Sequence, residues 1–117
     1  MKNIQIVAKQ DEIVIKGNYK LQTIMYHDII FILYDSPYII INMLDRKLPL
    51  HMSLNAINRY LPEYFVLCNR SLIVNLLQVK SFDKASGILY LRTGITFYVS
   101  YRKRQRVATM LLSIMTG

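Results

Sequence analysis

Two polar clusters in the second half of the chain carry side chains that can recognise a nucleic acid. The first is residues 69–71 with the asparagine at position 75, and it stands between apolar runs typical of strands. Arginine can form two hydrogen bonds to guanine, asparagine can do the same to adenine, and serine can reach a phosphate. The alternative is that these polar residues only form a surface loop. The candidate contacts of this cluster are Asn69, Arg70, Ser71 and Asn75.

The second cluster is residues 100–106, at the start of a predicted closing helix. Ser100 is expected to cap this helix, so that its first amides and Arg102 face a phosphate together. Arg102 and Arg106 are four residues apart and are expected to share a helix face. The helix dipole disfavours each exposed cation at this end by about 0.3–1 kcal/mol, and an anionic partner would reverse that cost. The candidates here are Ser100, Arg102, Lys103, Arg104 and Arg106.

The charge of the whole chain points to the same class of partner. Fifteen Lys and Arg residues stand against seven Asp and Glu residues, which gives a net charge of +8. From Lys80 to the end there are seven cations and one acid, Asp83. Such a basic face attracts nucleic acid or an acidic membrane surface, although a solvated face is the simpler alternative.

Enzyme and metal chemistry have little support in the sequence. There is no G-x-S-x-G, phosphate-binding glycine loop or H-E-x-x-H motif. His27, His51 and Cys68 show no ligand spacing, and Cys68 is predicted to be a small buried side chain. We therefore expect no enzymatic activity, no metal and no cofactor. A single cysteine, no signal peptide and no apolar run near 18 residues favour a cytoplasmic protein without a membrane span.

The chain is long enough for one domain, and its pattern predicts mostly antiparallel β-structure. Seven or eight short strands are expected, connected by turns of two to five residues. One short helix fits residues 53–61, with Ser53 as its cap and Pro62 as its end. The closing helix is expected to bury Val107, Met110, Leu111 and Ile114. The predicted strands cover residues 13–16, 21–26, 29–34, 38–44, 64–68, 78–82, 88–91 and 96–99.

The residues from Phe65 onward resemble the LytTR-type DNA-binding domain family. The stretch 65–76, FVLCNRSLIVNL, and the later V-S pair at 99–100 followed by a basic residue are similar to the family pattern F-x-R-x-H-[RN]-S-x-x-V-N and V-S-R. The resemblance extends over about residues 10–112. Asn69 stands where many members have His, Leu67 where many have Arg, and Tyr101 replaces a common Arg.

This resemblance implies a fold of short antiparallel strands whose loops enter successive major grooves of double-stranded DNA. It places Arg70 at the family's base-contacting position and Arg102 at the basic residue after the V-S pair. It also places Tyr38 where the first DNA-contacting loop ends. Most relatives are bacterial response regulators of transcription. Since no receiver domain or membrane segment precedes residue 10, we expect either a stand-alone module or one whose signal comes from a separate signalling protein.

Two questions stay open at this point. The apolar stripe of residues 107–115 beside a cationic turn is also typical of an interfacial helix, so a protein- or membrane-surface module without sequence-specific DNA binding is the alternative. Basic DNA readers often bind as dimers on paired half-sites, and a homodimer on DNA is therefore considered beside a monomer.

Overall fold

The computed structural model describes residues 3–117, and it confirms a mostly β fold with one short internal helix and a C-terminal helix. All strand pairs are antiparallel, as the short connections predicted. The helices are α1 (Leu54–Asn58) and α2 (Arg104–Thr116). The strands are β1 (Gln5–Ala8), β2 (Glu12–Lys16), β3 (Leu21–Met25), β4 (Ile29–Asp35), β5 (Tyr38–Met43), β6 (Lys47–Leu50), β7 (Phe65–Asn69), β8 (Leu72–Asn75), β9 (Val79–Asp83), β10 (Ile88–Leu91) and β11 (Thr96–Tyr98).

The described chain thus holds eleven strands, more than the seven or eight expected. The additional strands are β1, β6 and β8, each only four residues long. A four-residue strand shows only two side chains on each face, and it can be predicted only where turn residues flank it, as Gly87 and Gly94 flank β10. β6 also contains Pro49, which is tolerated because β6 is the edge strand of its sheet.

The central element is a five-stranded sheet with the order β6-β5-β4-β8-β7. Its register pairs Asp35 with Tyr38 across the β4–β5 turn, and Leu33 with Leu72 between β4 and β8. The β4–β5 turn and the β7–β8 turn therefore lie at the same end of this sheet. The last residue of β6, Leu50, also lies there because it pairs with Ile39. We call this end the turn end.

There are two smaller sheets, with the strand orders β1-β2-β3 and β11-β10-β9. Each of them packs on its own hydrophobic core. The first core joins Ile13 and Ile24 to Ile41 and to Ile57 of α1. The second joins β7–β11 to α2.

The two helices begin and pack largely as predicted. The Ser53 hydroxyl accepts a hydrogen bond from Ala56 N at 3.0 Å, which confirms the cap, although α1 ends at Asn58 rather than at residue 61. Val107 and Leu111 of α2 are buried, with Met110 and Ile114 packed beside them. The apolar stripe of α2 therefore belongs to the core and not to an interfacial surface. Neither helix within residues 3–117 has the length and apolar content that crossing a bilayer requires.

Candidate nucleic-acid interface

The β7–β8 turn is held in shape by Asn69. Its Oδ1 accepts a hydrogen bond from Ser71 N at 2.9 Å, and its Nδ2 donates to the carbonyl of Tyr98 at 2.9 Å. Ser71 in turn accepts a bond from Tyr34 N at 2.8 Å, which ties the turn to the end of β4. Asn69 and Ser71 are therefore partly committed to the protein, and the turn they build presents Arg70 to solvent.

Arg70 is exposed at the tip of this turn. Its side chain borders a shallow cavity of about 220 Å³, together with Tyr34 and with Ser53 and Asn55 at the start of α1. Within residues 3–117 its guanidinium forms no ion pair. All the donors of this guanidinium are thus available to a ligand at the turn end.

A direct link joins the β7–β8 turn to the second polar cluster. Cys68 O accepts one hydrogen bond from Ser100 N at 3.0 Å and another from Ser100 Oγ at 3.2 Å. Arg70 and Arg102 each follow this junction by two residues along the chain. The structure therefore joins the backbone segments that carry the two arginines, and both side chains are exposed.

The expected cap at Ser100 is wrong, because its hydroxyl donates to Cys68 and not to the helix. A 3₁₀ segment, Tyr101–Lys103, follows it, and the α2 helix begins only at Arg104. The backbone carbonyl of Ser100 accepts a bond from Lys103 N at 2.9 Å. The segment that carries Arg102 is thus a tight turn that is fixed to β7.

Arg102 lines a cationic groove with a volume of about 980 Å³. Its charged lining residues are all cations, and Tyr101 beside them is 80% exposed. Lys84, which the site prediction missed, reaches the groove from the β9–β10 turn and donates to Gln105 Oε1. Lys84 precedes Arg102 by 18 residues, and its charge was the only signal in the sequence. The lining residues are Lys84, Ala85, Tyr101, Arg102, Arg104 and Gln105.

Arg104 was predicted to contact a ligand, but its guanidinium is engaged within the protein. Nε donates to Val99 O at 3.2 Å, and the two terminal nitrogens donate to Ala85 O and to the Tyr98 hydroxyl, both at 2.9 Å. The guanidinium also lies 5.3 Å from the ring centres of Tyr98 and Tyr101. Arg104 therefore braces the groove and leaves few donors for a ligand.

Arg102 and Arg106 do not share an α-helical face as expected, because they lie in different elements. Since Arg102 lies in the 3₁₀ segment, the four-residue spacing to Arg106 is not a helical one. Arg106 borders a separate cavity with Thr109, Met110 and Ser113. Lys103 is half-buried and lies near Cys68.

The prediction that Asn75 contacts a nucleic acid is wrong, because this side chain is fully buried. Its Nδ2 donates to Ile29 O at 2.9 Å and to Tyr26 O at 3.4 Å, and its Oδ1 accepts from Leu77 N at 3.0 Å. Every bonding group of the side chain is satisfied inside the protein. Asn75 therefore fixes the start of β4 against β8 and cannot reach a base.

Tyr38 lies at the turn end, as its predicted position next to the first loop requires. The side chain is 45% exposed, and its ring packs edge-on against His51 with the ring centres 5.7 Å apart. Pro37 lies in the β4–β5 turn after a cis peptide bond. His51 was not predicted here, because only the pairing of β5 with β6 brings it beside Tyr38.

Cys68 is buried, which confirms the packing role predicted for it. Burial raises the pKa of the thiol to about 12, and the nearby Lys103 ammonium offsets this effect only in part. A thiol with this pKa is protonated at neutral pH and is a poor nucleophile or metal ligand. Within residues 3–117 no three Cys, His, Asp or Glu side chains cluster at a distance suited to a metal ion.

Comparisons with known proteins place this surface in a family. Residues 19–112 match the family model of the LytTr DNA-binding domain. A solved structure, the LytTr DNA-binding domain of a methyl-accepting/DNA response regulator from Bacillus cereus, is 20% identical, with a TM-score of 0.71. The similarity covers 88% of this chain and 98% of that one. No sequence among the curated proteins matches the chain. Because the family model spans most of the chain, from β3 into α2, the chain belongs to the LytTr DNA-binding domain family.

Proposed function

We propose that the protein binds double-stranded DNA in a sequence-specific manner through the loops of the turn end, and that it regulates transcription. The observation that carries this proposal is the junction at Cys68 O, which holds the Arg70 turn beside the Arg102 segment. The three polar segments of this end, residues 35–38, 69–71 and 99–106, contain five cations and a single acid, Asp35. Membership of a DNA-binding domain family supports the same conclusion.

The side chains divide into two roles by their exposure and bonding. Arg70 is the base reader, since it is exposed on a narrow turn and can form a bidentate pair with guanine. Arg102 and Lys84 contact phosphates along the cationic groove, the half-buried Lys103 adds positive charge beside them, and these contacts carry affinity but little sequence information. Tyr38 and Ser71 approach the duplex from the neighbouring turns, and Arg106 adds a more distant positive charge.

Asn69, Ser100 and Arg104 act differently, because their bonding groups are engaged inside the protein. They hold the β7–β8 turn, the 3₁₀ segment and the β9–β10 turn in fixed relative positions. Rigid placement matters because a base pair is read only when the side chain is held in the correct geometry. Two successive turns, those of β4–β5 and β7–β8, are thereby available for the major groove.

The alternative, a membrane-surface module, loses its main support in this fold. It depended on an apolar stripe in residues 107–115 that faces a lipid, and the buried residues of that stripe pack on the sheet. Binding to acidic vesicles with no preference among DNA duplexes would be the result that favours it.

The proposal is tested by selecting binders from a randomised DNA duplex and titrating salt on the selected sequence. We expect an enriched motif and a linear fall of log affinity with log salt, with a slope of roughly −4 to −7. An unselected duplex should bind more weakly, and single-stranded DNA should compete poorly. The absence of any enriched motif, with equal affinity for every duplex, would contradict sequence-specific reading.

A further inference from the structure

The outward face of the β1-β2-β3 sheet is rich in apolar side chains although it faces solvent. The register sets Val7 opposite Val14 and Val14 opposite Thr23, and opposed residues of antiparallel strands share one face. Leu21 and Met25 lie on this same face and are 69% and 37% exposed, and Val7 is 57% exposed. Antiparallel sheets with one solvated face usually place polar residues there. We call this surface the outer face.

The charges on the outer face are arranged at its two ends. Lys16 lies opposite Leu21 at one end of β2, and Glu12 lies opposite Met25 at the other end. Val14 stands midway between them. Glu12 already attracts one cation of its own chain, since Lys9 Nζ lies 3.4 Å from its carboxylate. The face therefore has an apolar centre, the Lys16 ammonium at one end and, at the other end, the Glu12 carboxylate with Lys9 beside it.

We propose that the outer face is the interface between two copies of this chain, related by a two-fold axis that crosses the strands beside Val14. This axis lays β2 antiparallel on β2 of the second copy, so that Lys16 faces Glu12 of that copy and the reverse. Val14 then meets Val14, and Leu21 covers Met25. A two-fold axis along the strands would instead pair Lys16 with Lys16, which like charges disfavour. The charge pattern thus selects one arrangement of the dimer.

The position of this sheet keeps a second copy away from the turn end. Arg46 donates to Gln22 Oε1 at 3.1 Å, and Asn75 Nδ2 at the end of β8 donates to Tyr26 O at 3.4 Å. Arg46 lies in the β5–β6 turn and Tyr26 precedes β4, so both attachments are at the end of the five-stranded sheet opposite the turn end. The dimer therefore presents two turn ends related by two-fold symmetry. The association itself does not depend on DNA binding.

Sedimentation equilibrium of the full chain without DNA tests the interface. We expect a weak dimer that dissociates at roughly 10–100 μM, since the face is smaller than a standard interface of ~800 Å² per partner. Lys16→Glu and Glu12→Lys should each weaken the dimer at least about tenfold, and the double variant should restore it. Lys47→Glu changes the net charge equally on another sheet and should leave the dimer unchanged.

A second measurement uses the residue nearest the axis. Val14→Cys is expected to form an intermolecular disulfide under mild oxidation, whereas Lys47→Cys should not, and the buried Cys68 stays unreactive. A chain that is monomeric at 1 mM overturns the proposal. A dimer that resists both single charge reversals, or a Val14→Cys variant that never cross-links, equally overturns it.

Discussion

Asn69 Nδ2 donates a hydrogen bond to the backbone carbonyl of Tyr98 at 2.9 Å, across 29 residues of sequence. This bond and the two bonds from Ser100 to Cys68 O join the β7–β8 turn to the segment that carries Arg102. Each of the two segments of the candidate interface thus donates hydrogen bonds to a backbone carbonyl beside the other segment, Asn69 to Tyr98 O and Ser100 to Cys68 O. Their relative placement is a property of the fold and not of two independent loops.

Asn69→Ala removes both bonds of this side chain and is expected to loosen the β7–β8 turn. The unfolding free energy should fall by about 1–2 kcal/mol, because a net hydrogen bond contributes about 0.5–1.5 kcal/mol. Affinity for a selected duplex should fall about threefold to tenfold, since the Arg70 turn is less ordered. Denaturant unfolding and fluorescence titration measure the two effects. If the variant were destabilised but its DNA affinity were unchanged, the Asn69 hydrogen bonds would not be needed to position the Arg70 turn for DNA binding.

Gly87 is the position where a methyl group should disturb the cationic groove. Its φ of +79° is in the left-handed region, and an added Cβ would lie 2.6 Å from Arg104 Nε. Gly87→Ala therefore combines about 1 kcal/mol of backbone strain with displacement of the guanidinium. We expect lower stability and weaker binding of all duplexes.

Gly94→Ala is the matched control, since Gly94 has a φ of +95° with no atom within 4 Å of the added Cβ. It carries the backbone strain alone, and its DNA affinity should equal that of the parent chain. Equal losses of DNA affinity in the two variants would mean that Arg104 does not shape the groove.

Asn75→Ala separates a packing role from a contact role. The change leaves the carbonyl of Ile29 and the amide of Leu77 without their partner in the core, and it should cost about 2–4 kcal/mol of stability. At a temperature where the variant is folded, its preference among duplexes should match the parent. Loss of sequence preference in the folded variant would restore Asn75 as a base contact.

Because its thiol is buried, Cys68 should lower the free energy of unfolding at alkaline pH. Its thiol has a pKa near 9 when unfolded, and burial raises the folded pKa to about 12. Above pH 9 the unfolded chain loses this proton while the folded chain retains it. The contribution of this thiol to the unfolding free energy is therefore fully present below pH 9. It falls by up to about 1.4 kcal/mol per pH unit as the pH rises towards 12.

The comparison of parent and Cys68→Ala at pH 8, 9 and 10 isolates this thiol from the tyrosines, which both proteins share. The parent's advantage in unfolding free energy should shrink as pH rises from 9 to 10. A difference that stays constant over this range would contradict the raised pKa.

Local patterns predicted most of the elements, and contacts distant in sequence decided the site. The Gly17–Asn18 turn, the Ser53 cap and the apolar spacing of α2 each involve neighbouring residues, and each was confirmed. Asn75 could not be assigned correctly because its partners Tyr26 and Ile29 precede it by more than 45 residues.

The groove shows the same limit. The sequence does not distinguish Arg104 from the other cations of residues 100–106. Its acceptor Ala85 O is brought to it only by the folded β9–β10 turn. Lys84 joined the groove through that same turn. Charge density predicts a surface for a polyanion, but it does not distinguish the exposed cations from Arg104, whose guanidinium is engaged within the protein.

The central claim is that Arg70 reads bases while the groove cations hold phosphates. The most direct test measures the affinity of Arg70→Ala and Arg102→Ala for a selected and a random duplex, with Arg92→Ala as a control exposed at the other end of β10. Arg70→Ala should lose about 1–3 kcal/mol on the selected duplex alone. Arg102→Ala should weaken both duplexes alike and reduce the salt slope by about 1, and Arg92→Ala should change little. Equal weakening of both duplexes by Arg70→Ala would contradict base reading at this turn.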